Sequence, residues 1–264
     1  PKRGYFVLSG PVMLRTISIA FSLMVLANVV SAQNNVVISK NENRLCIVSN
    51  SLPDHEVGKF PNRGNPHTMR EQNVEFCVPI NPVKNRNFKF IKGTLGIAIN
   101  GIQFRPNTAG YYDPLAKSGH SRHGDKRWSL DIFGAKNKLG LDLNNGHVGP
   151  NGLYHYHGIA ATLTRTSERS LIGDAGDGFE IHYIGNKVTS GYKLKIGNRS
   201  SGPGGKYDGF YNEDYLHHPV EGLLDECNGG TLDGKFVYFV TDTYPFVSRC
   251  LWGDISPGFG VDRH

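Results

Sequence analysis

The residues with the clearest chemical potential are histidines in the stretch Gly-Leu-Tyr-His-Tyr-His-Gly-Ile, residues 152–159. His155 and His157 are two residues apart. On a β-strand that spacing puts both imidazoles on one face, and Tyr154 and Tyr156 on the other. Two imidazoles on one strand face can reach a single metal ion, and a third ligand from a neighbouring strand completes an open site. His147 is the natural third ligand. It joins the site only if the turn Gly149-Pro150-Asn151-Gly152 has odd parity. With a three-residue loop, 149 opposes 153 and His147 opposes His155, so all three share a face. With a two-residue loop, His147 faces Tyr154 and the site is split. The expectation is therefore a cleft lined by His147, His155 and His157, with the tyrosines packed into a core. Imidazole donors suit copper or zinc.

Other groups could support such a site. Asp142 and Asn144 are expected to orient imidazole N–H groups from behind, or simply to form turns. The pattern Asp142-x-Asn144-x-Gly146 is not a calcium loop, since position six is His147 and position twelve is Leu153. Asp177 and Glu180, in Asp-Ala-Gly-Asp-Gly-Phe-Glu-Ile-His, are the candidate catalytic carboxylates. Glu180 and His182 share a strand face and could move protons together, or merely form a solvent-facing strand edge. No G-x-S-x-G, H-E-x-x-H or P-loop occurs.

The elements that must position these residues read as β-structure. Gly (33) and Pro (14) make up about 18% of the 264 residues, against roughly 12% in average usage. Strand-like runs fall near 36–38, 45–48 and 75–80. Asn100-Gly101 separates two apolar runs and predicts a two-residue type I′ hairpin. Residues 128–133 suggest one helical turn, and Gly234–Asp242 a strand rich in β-branched and aromatic residues. The predicted fold is mostly β: one domain of antiparallel strands, hairpins, long Gly/Pro-rich loops and few short helices. Cys46, Cys77, Cys227 and Cys250 are even in number, and their locality favours the pairs 46–77 and 227–250 over a thiolate metal site.

Lys2, Arg3 and Arg15 precede an apolar run ending Val30-Ser31-Ala32, the pattern of a cleaved secretory signal. The run is about 14 residues, short of the roughly 20 that span a bilayer. The expected organisation is an N-terminal extension and signal over 1–32 and a lead-in region with a disulfide-tied loop over 33–92. A main domain over 93–259 and a tail over 260–264 complete it. No membrane span should remain after cleavage, and the destination is secreted, periplasmic or cell-surface. Losing those three cations takes the net charge from +6 to +3. A mild, mixed charge argues against nucleic-acid binding. Only Lys84–Lys92 (Lys-Asn-Arg-Asn-Phe-Lys-Phe-Ile-Lys) interleaves cations with aromatics as a polyanion site would.

Several blocks resemble the YHYH family of extracytoplasmic proteins. They are GIAINGIQF, LGLDLNNGHVGPNGLYHYHG, LIGDAGDGF, GPGGKYDGFYNEDY, LDECNGG and YFVTDTYPFVSRC, running from about Gly93 to Trp252. The resemblance implies that the family histidines correspond to His147, His155 and His157. It also implies that Cys227 and Cys250 belong to the motif. The family supplies a domain without a settled reaction. After Asp177-Gly178-Phe179 its usual Pro-Ile-Tyr-Gly is replaced by Glu180-Ile181-His182-Tyr183, so Glu180 and His182 are not general family features. Three functions follow as expectations. The first is an exported protein that carries, buffers or senses copper or zinc. The second is a metal-dependent hydrolase or oxidoreductase. The third is a cell-surface binding or adhesion module for a small-molecule, glycan or protein ligand, with structural histidines.

Overall fold

A computed structural model describes residues 33–166 and 170–260. The segment 1–32, expected to hold an extension and a signal, and all but the first residue of the expected tail 260–264 lie outside the described residues. The first strands are β1 (Val36–Lys40), β2 (Arg44–Ser49), β3 (Val74–Pro79), β4 (Lys89–Phe90), β5 (Gly96–Ala98) and β6 (Gln103–Phe104). Next come β7 (Tyr111–Tyr112), β8 (His120–Ser121), β9 (Asp125–Ser129), β10 (Gly146–Val148), β11 (Tyr154–Tyr156) and β12 (Leu171–Ala175). The last are β13 (Glu180–His182), β14 (Tyr192–Leu194), β15 (Tyr215–His217), β16 (Gly229–Leu232), β17 (Lys235–Phe239) and β18 (Cys250–Leu251). Helix is confined to short pieces, α1 (Lys136–Leu139) and α2 (Ala161–Thr166), with two 3-10 turns at Gly185–Lys187 and Asn212–Asp214. No helix among the described residues is long and apolar enough to cross a membrane.

An eight-stranded sheet in the order β10-β11-β6-β5-β12-β13-β17-β16 carries the molecule. Most neighbours are antiparallel, but β11 runs parallel to β6 and β13 parallel to β17. Its main core gathers Leu95, Ile102, Phe104, Tyr154, Tyr156, Leu163, Ile172 and Tyr238, all nearly inaccessible to water. The sheet β1-β2-β3 packs its own apolar face, Ile47, Phe76 and Val78, against Ile97 and Phe259.

Both disulfides form as the locality of the cysteines suggests. Cys46 lies directly opposite Cys77 in the β2–β3 ladder, with Cα atoms 4.0 Å apart. Cys227 and Cys250 join inside the main core. These bonds leave no free thiol among the described residues, so the thiolate metal alternative is removed.

Two local expectations are corrected. Residues 128 and 129 belong to strand β9 rather than to a helical turn. The Asn100-Gly101 hairpin is not a two-residue type I′ turn. Gly101 N–H bonds to Ala98 O, Ala98 N–H bonds to Ile102 O, and only Gly101 takes a positive φ (+78°). That is a three-residue loop closed by a left-handed glycine, the G1-bulge alternative for hairpins.

Candidate functional site

The same loop design decides the histidine site. Gly152 N–H bonds to Gly149 O and Gly149 N–H to Leu153 O, with Gly152 left-handed at φ +86°. Pro150, Asn151 and Gly152 are therefore the loop, the odd parity on which the three-histidine reading depends. His147 consequently pairs with His155 across β10 and β11. The neighbouring glycine of β10 is also required by shape: a Cβ on Gly146 would collide with the Tyr154 hydroxyl.

His147, His155 and His157 form a compact triangle. Their ring centroids are 4.8 Å apart on every side, and one ligand nitrogen from each lies within 4.8 Å of the others. The expected open cleft is not what surrounds them. His155 and His157 are 4% and 1% exposed, and His147 is half-buried. Removal from water disfavours the charged imidazolium, so burial is the main cause holding all three below the ordinary histidine range. For His155 and His157 the neighbouring histidines of the triangle push in the same direction, and Arg105 opposes charge on all three. His67, from the loop between β2 and β3, adds to the effect on His147.

Backbone carbonyls set the tautomers. His147 Nδ1 lies 2.8 Å from Leu139 O, a carbonyl left free at the end of α1. His155 Nδ1 lies 3.1 Å from Leu153 O. A carbonyl only accepts, so each neutral ring carries its proton on Nδ1 and keeps a lone pair on Nε2. His157 Nε2 is 3.2 Å from His147 Nε2, while its Nδ1 is buried without a partner.

Of the two expectations for Asp142 and Asn144, the contacts match turn formation: Asp142 Oδ1 accepts from Asn144 and Gly146 N–H, and neither side chain has a hydrogen bond to the three imidazoles among the described contacts. Asp142 serves the tyrosine face, accepting from Tyr154 Oη at 2.8 Å and from the backbone N–H groups of Gly58, Asn144 and Gly146. Asn144 donates to Glu56 O and lies 3.0 Å from Nδ1 of another histidine, His55. That histidine stacks on Tyr156 and meets its hydroxyl at 2.6 Å. The tyrosine rings are fully buried as predicted, but their hydroxyls end in a polar network that also includes Asn100. Burial pushes both phenols above their ordinary range.

The candidate carboxylates lie elsewhere. Strands in a sheet are about 4.8 Å apart, so β12 stands roughly 14 Å and β13 roughly 19 Å from β11. Asp177, in the turn joining them, is buried and accepts from Tyr238 Oη (2.6 Å) and Gly253 N–H (2.8 Å), tying that turn to the chain after β18. Glu180 is not on a sheet edge, because β13 lies between β12 and β17. Its carboxylate meets His182 Nε2 at 2.8 Å, and Ser170 Oγ meets His182 Nδ1 at 2.8 Å. The 660 Å³ cavity beside this Ser–His–Glu row is lined by Glu180 and Asp174 but by neither Ser170 nor His182.

Asp174 stands opposite Glu180 in the ladder. Burial, and then the charge of Glu180, push its carboxyl up to about 6. A raised carboxyl pKa favours folding while the group holds its proton. That contribution is full below the unfolded value of about 4 and is lost as pH rises through about 6. Asp174→Asn should therefore raise the melting temperature at pH 7, by about 1–2 kcal/mol of stability after solvent screening. The gain should vanish near pH 4. Melting curves of both proteins across pH 4–8 check this, and an equal gain at every pH would refute it.

The family described as YHYH protein matches residues 75–253. The match covers more than half of the sequence and contains the whole histidine triangle, so the chain belongs to the YHYH family. No curated protein and no solved structure matches it.

Proposed function

We propose that this is an exported protein that binds one transition-metal ion, copper or zinc, through Nε2 of His147, His155 and His157. The observation that carries the reading is the convergence of lone pairs. Two carbonyls commit His147 and His155 to Nδ1–H, so both present bare Nε2 atoms to the triangle. In the third ring, Nε2 of His157 lies 3.2 Å from the bare Nε2 of His147, so its ligand nitrogen faces the same space. Burial keeps the three rings neutral, the state in which imidazole is a ligand. Such an ion would supply Lewis acidity. Two disulfides fit an oxidising compartment, in keeping with export.

Carriage, buffering or sensing suits this site better than hydrolysis or redox catalysis. The two carboxylates expected to move protons stand three to four strands away, and His155 and His157 are shut from solvent. Elemental analysis of the untagged protein, purified without added metal, tests the proposal. The expected result is about one equivalent of copper or zinc per chain. A protein that remains metal-free after dialysis against either ion would overturn it.

A further inference from the structure

A cavity of about 890 Å³ lies between the loop after β6, the strands β7–β9 and the segment before β18. Its charged lining is unequal: Lys92, Arg122, Lys126 and Arg249 face one carboxylate, Glu213. Among the described residues, none of the four cations forms an ion pair. Glu213 is already held by Ser129, whose N–H and Oγ donate to it at 2.7 and 2.8 Å.

Arg249 is the most instructive of the four. It is half-buried, and its guanidinium donates to Pro106 O at 3.1 Å and to Asn107 Oδ1 at 2.6 Å. Both acceptors are neutral, so the fork is fixed in place without a direct ion pair, with the carboxylates of Asp131 and Glu213 acting on it only through space. A partly desolvated cation with donors to spare favours an anion. The planar fork suits a carboxylate or a sulfate.

The walls between the cations are aromatic. Tyr244 is stacked on Tyr215 at 3.9 Å and meets Tyr192 edge-on at 5.2 Å, while Tyr192 Oη is anchored on Glu226 O. Lys126 stands 5.1 Å from the centre of the Tyr111 ring, so ring and charge face the same space. Rigid tyrosine faces offer apolar area with a polar tip, and Thr108 and Asn212 add hydrogen-bonding groups. Flat apolar walls, neutral hydrogen-bonding groups and a fixed cation together match a sugar ring bearing an acidic substituent.

We propose that this cavity binds an acidic oligosaccharide, with a sugar carboxylate or sulfate seated on Arg249 and sugar faces against Tyr111 and Tyr192. A nucleic-acid strand fits less well. The basic run Lys84–Lys92 does not form a continuous track, because Lys84 is paired with Asp225 and lies over the rings of Phe236 and Trp252. Only its end, Phe90 to Lys92, reaches the cavity. The volume is that of a pocket for a short ligand. This site does not depend on the metal reading, and its occupancy should be the same with and without chelator.

Calorimetric titration of the full chain is the test, with four probes of equal length: oligogalacturonate, a heparin-derived oligosaccharide, a neutral cello-oligosaccharide and single-stranded DNA. At least one acidic sugar should bind, weakening as salt rises, and the neutral sugar should bind at least tenfold more weakly. Whichever acidic sugar binds distinguishes carboxylate from sulfate. Arg122→Ala/Lys126→Ala, confined to exposed side chains, should keep the melting temperature and lose about tenfold in affinity. Failure of both acidic sugars to bind would overturn the proposal. So would equal affinity for the neutral sugar, preference for the DNA, or unchanged affinity in the double variant.

Discussion

Chelation should lower the stability of the wild-type protein by about 4 kcal/mol, measured against the same protein with free ion at a thousandfold excess over its dissociation constant. For a chain of this size that is a fall in melting temperature of roughly 10 °C. A His155→Gln/His157→Gln variant should show no response to chelator. Glutamine keeps a polar side chain at two buried positions, so the metal-free variant and the metal-free wild type should agree within about 2 kcal/mol. That agreement separates loss of the ion from loss of the fold. Because burial holds the three rings below the ordinary histidine range, bound ion should also persist as the pH falls below about 6.5, where free imidazole is half protonated. An identical chelator response in wild type and variant would place the ion elsewhere. No response in either would leave the triangle as a structural histidine cluster.

The core of this site was legible because its rules are local. The two-residue period of His155 and His157 is a property of any strand, and turn parity ties His147 to them through Pro150, Asn151 and Gly152 alone. Asn100-Gly101 was misassigned for an equally local reason. One left-handed residue closes a three-residue loop, two close a type I′ turn, and Asn-Gly is compatible with both. What could not be read comes from distant chain. His55, His67 and the carbonyl of Leu139 approach from loops or a helix end whose path depends on the whole fold. Asp142 and Asn144 lie near the histidines in sequence, yet they sit in the turn before β10, where Asp142 meets the Tyr154 hydroxyl and Asn144 meets His55. Strand order separates Asp177 and Glu180 from the histidines, with β6, β5 and β12 intervening between β11 and β13. The parallel pairings of β11 with β6 and β13 with β17 are likewise long-range, and no alternation of residues announces them.

The largest stability effect of a single substitution is expected at Arg199. Its side chain is 5% exposed and its partner Asp214 is fully buried. Two nitrogens of the guanidinium meet both oxygens of Asp214, Nε to Oδ1 at 2.8 Å and Nη2 to Oδ2 at 2.5 Å, and Asp208 also contacts Nη2. These acidic partners raise the Arg199 pKa above its ordinary value, so it stays charged throughout. Asp214 further accepts from Gly209 and Tyr211 N–H groups, fastening the loop 199–211 to the 3-10 turn Asn212–Asp214. Arg199→Met keeps much of the apolar stem but leaves a carboxylate in the interior with only two backbone donors. Removing one partner of a buried pair typically costs about 3–5 kcal/mol, well above the worth of the pair against an apolar replacement. Arg199→Met/Asp214→Leu should therefore recover a large part of that loss, since no charge is then stranded. The Asp208 contact should matter little, because its side chain is 61% exposed and solvent screens it. Denaturant titrations of the two singles and the double complete the cycle. If Arg199→Met costs less than about 1 kcal/mol, the bridge is not what holds this loop. The consequence extends to ligand binding, because the same 3-10 turn presents Asn212 and Glu213 to the basic cavity. Arg199→Met should weaken an acidic sugar there without touching the histidine triangle, and the recovered stability of the double variant should restore it.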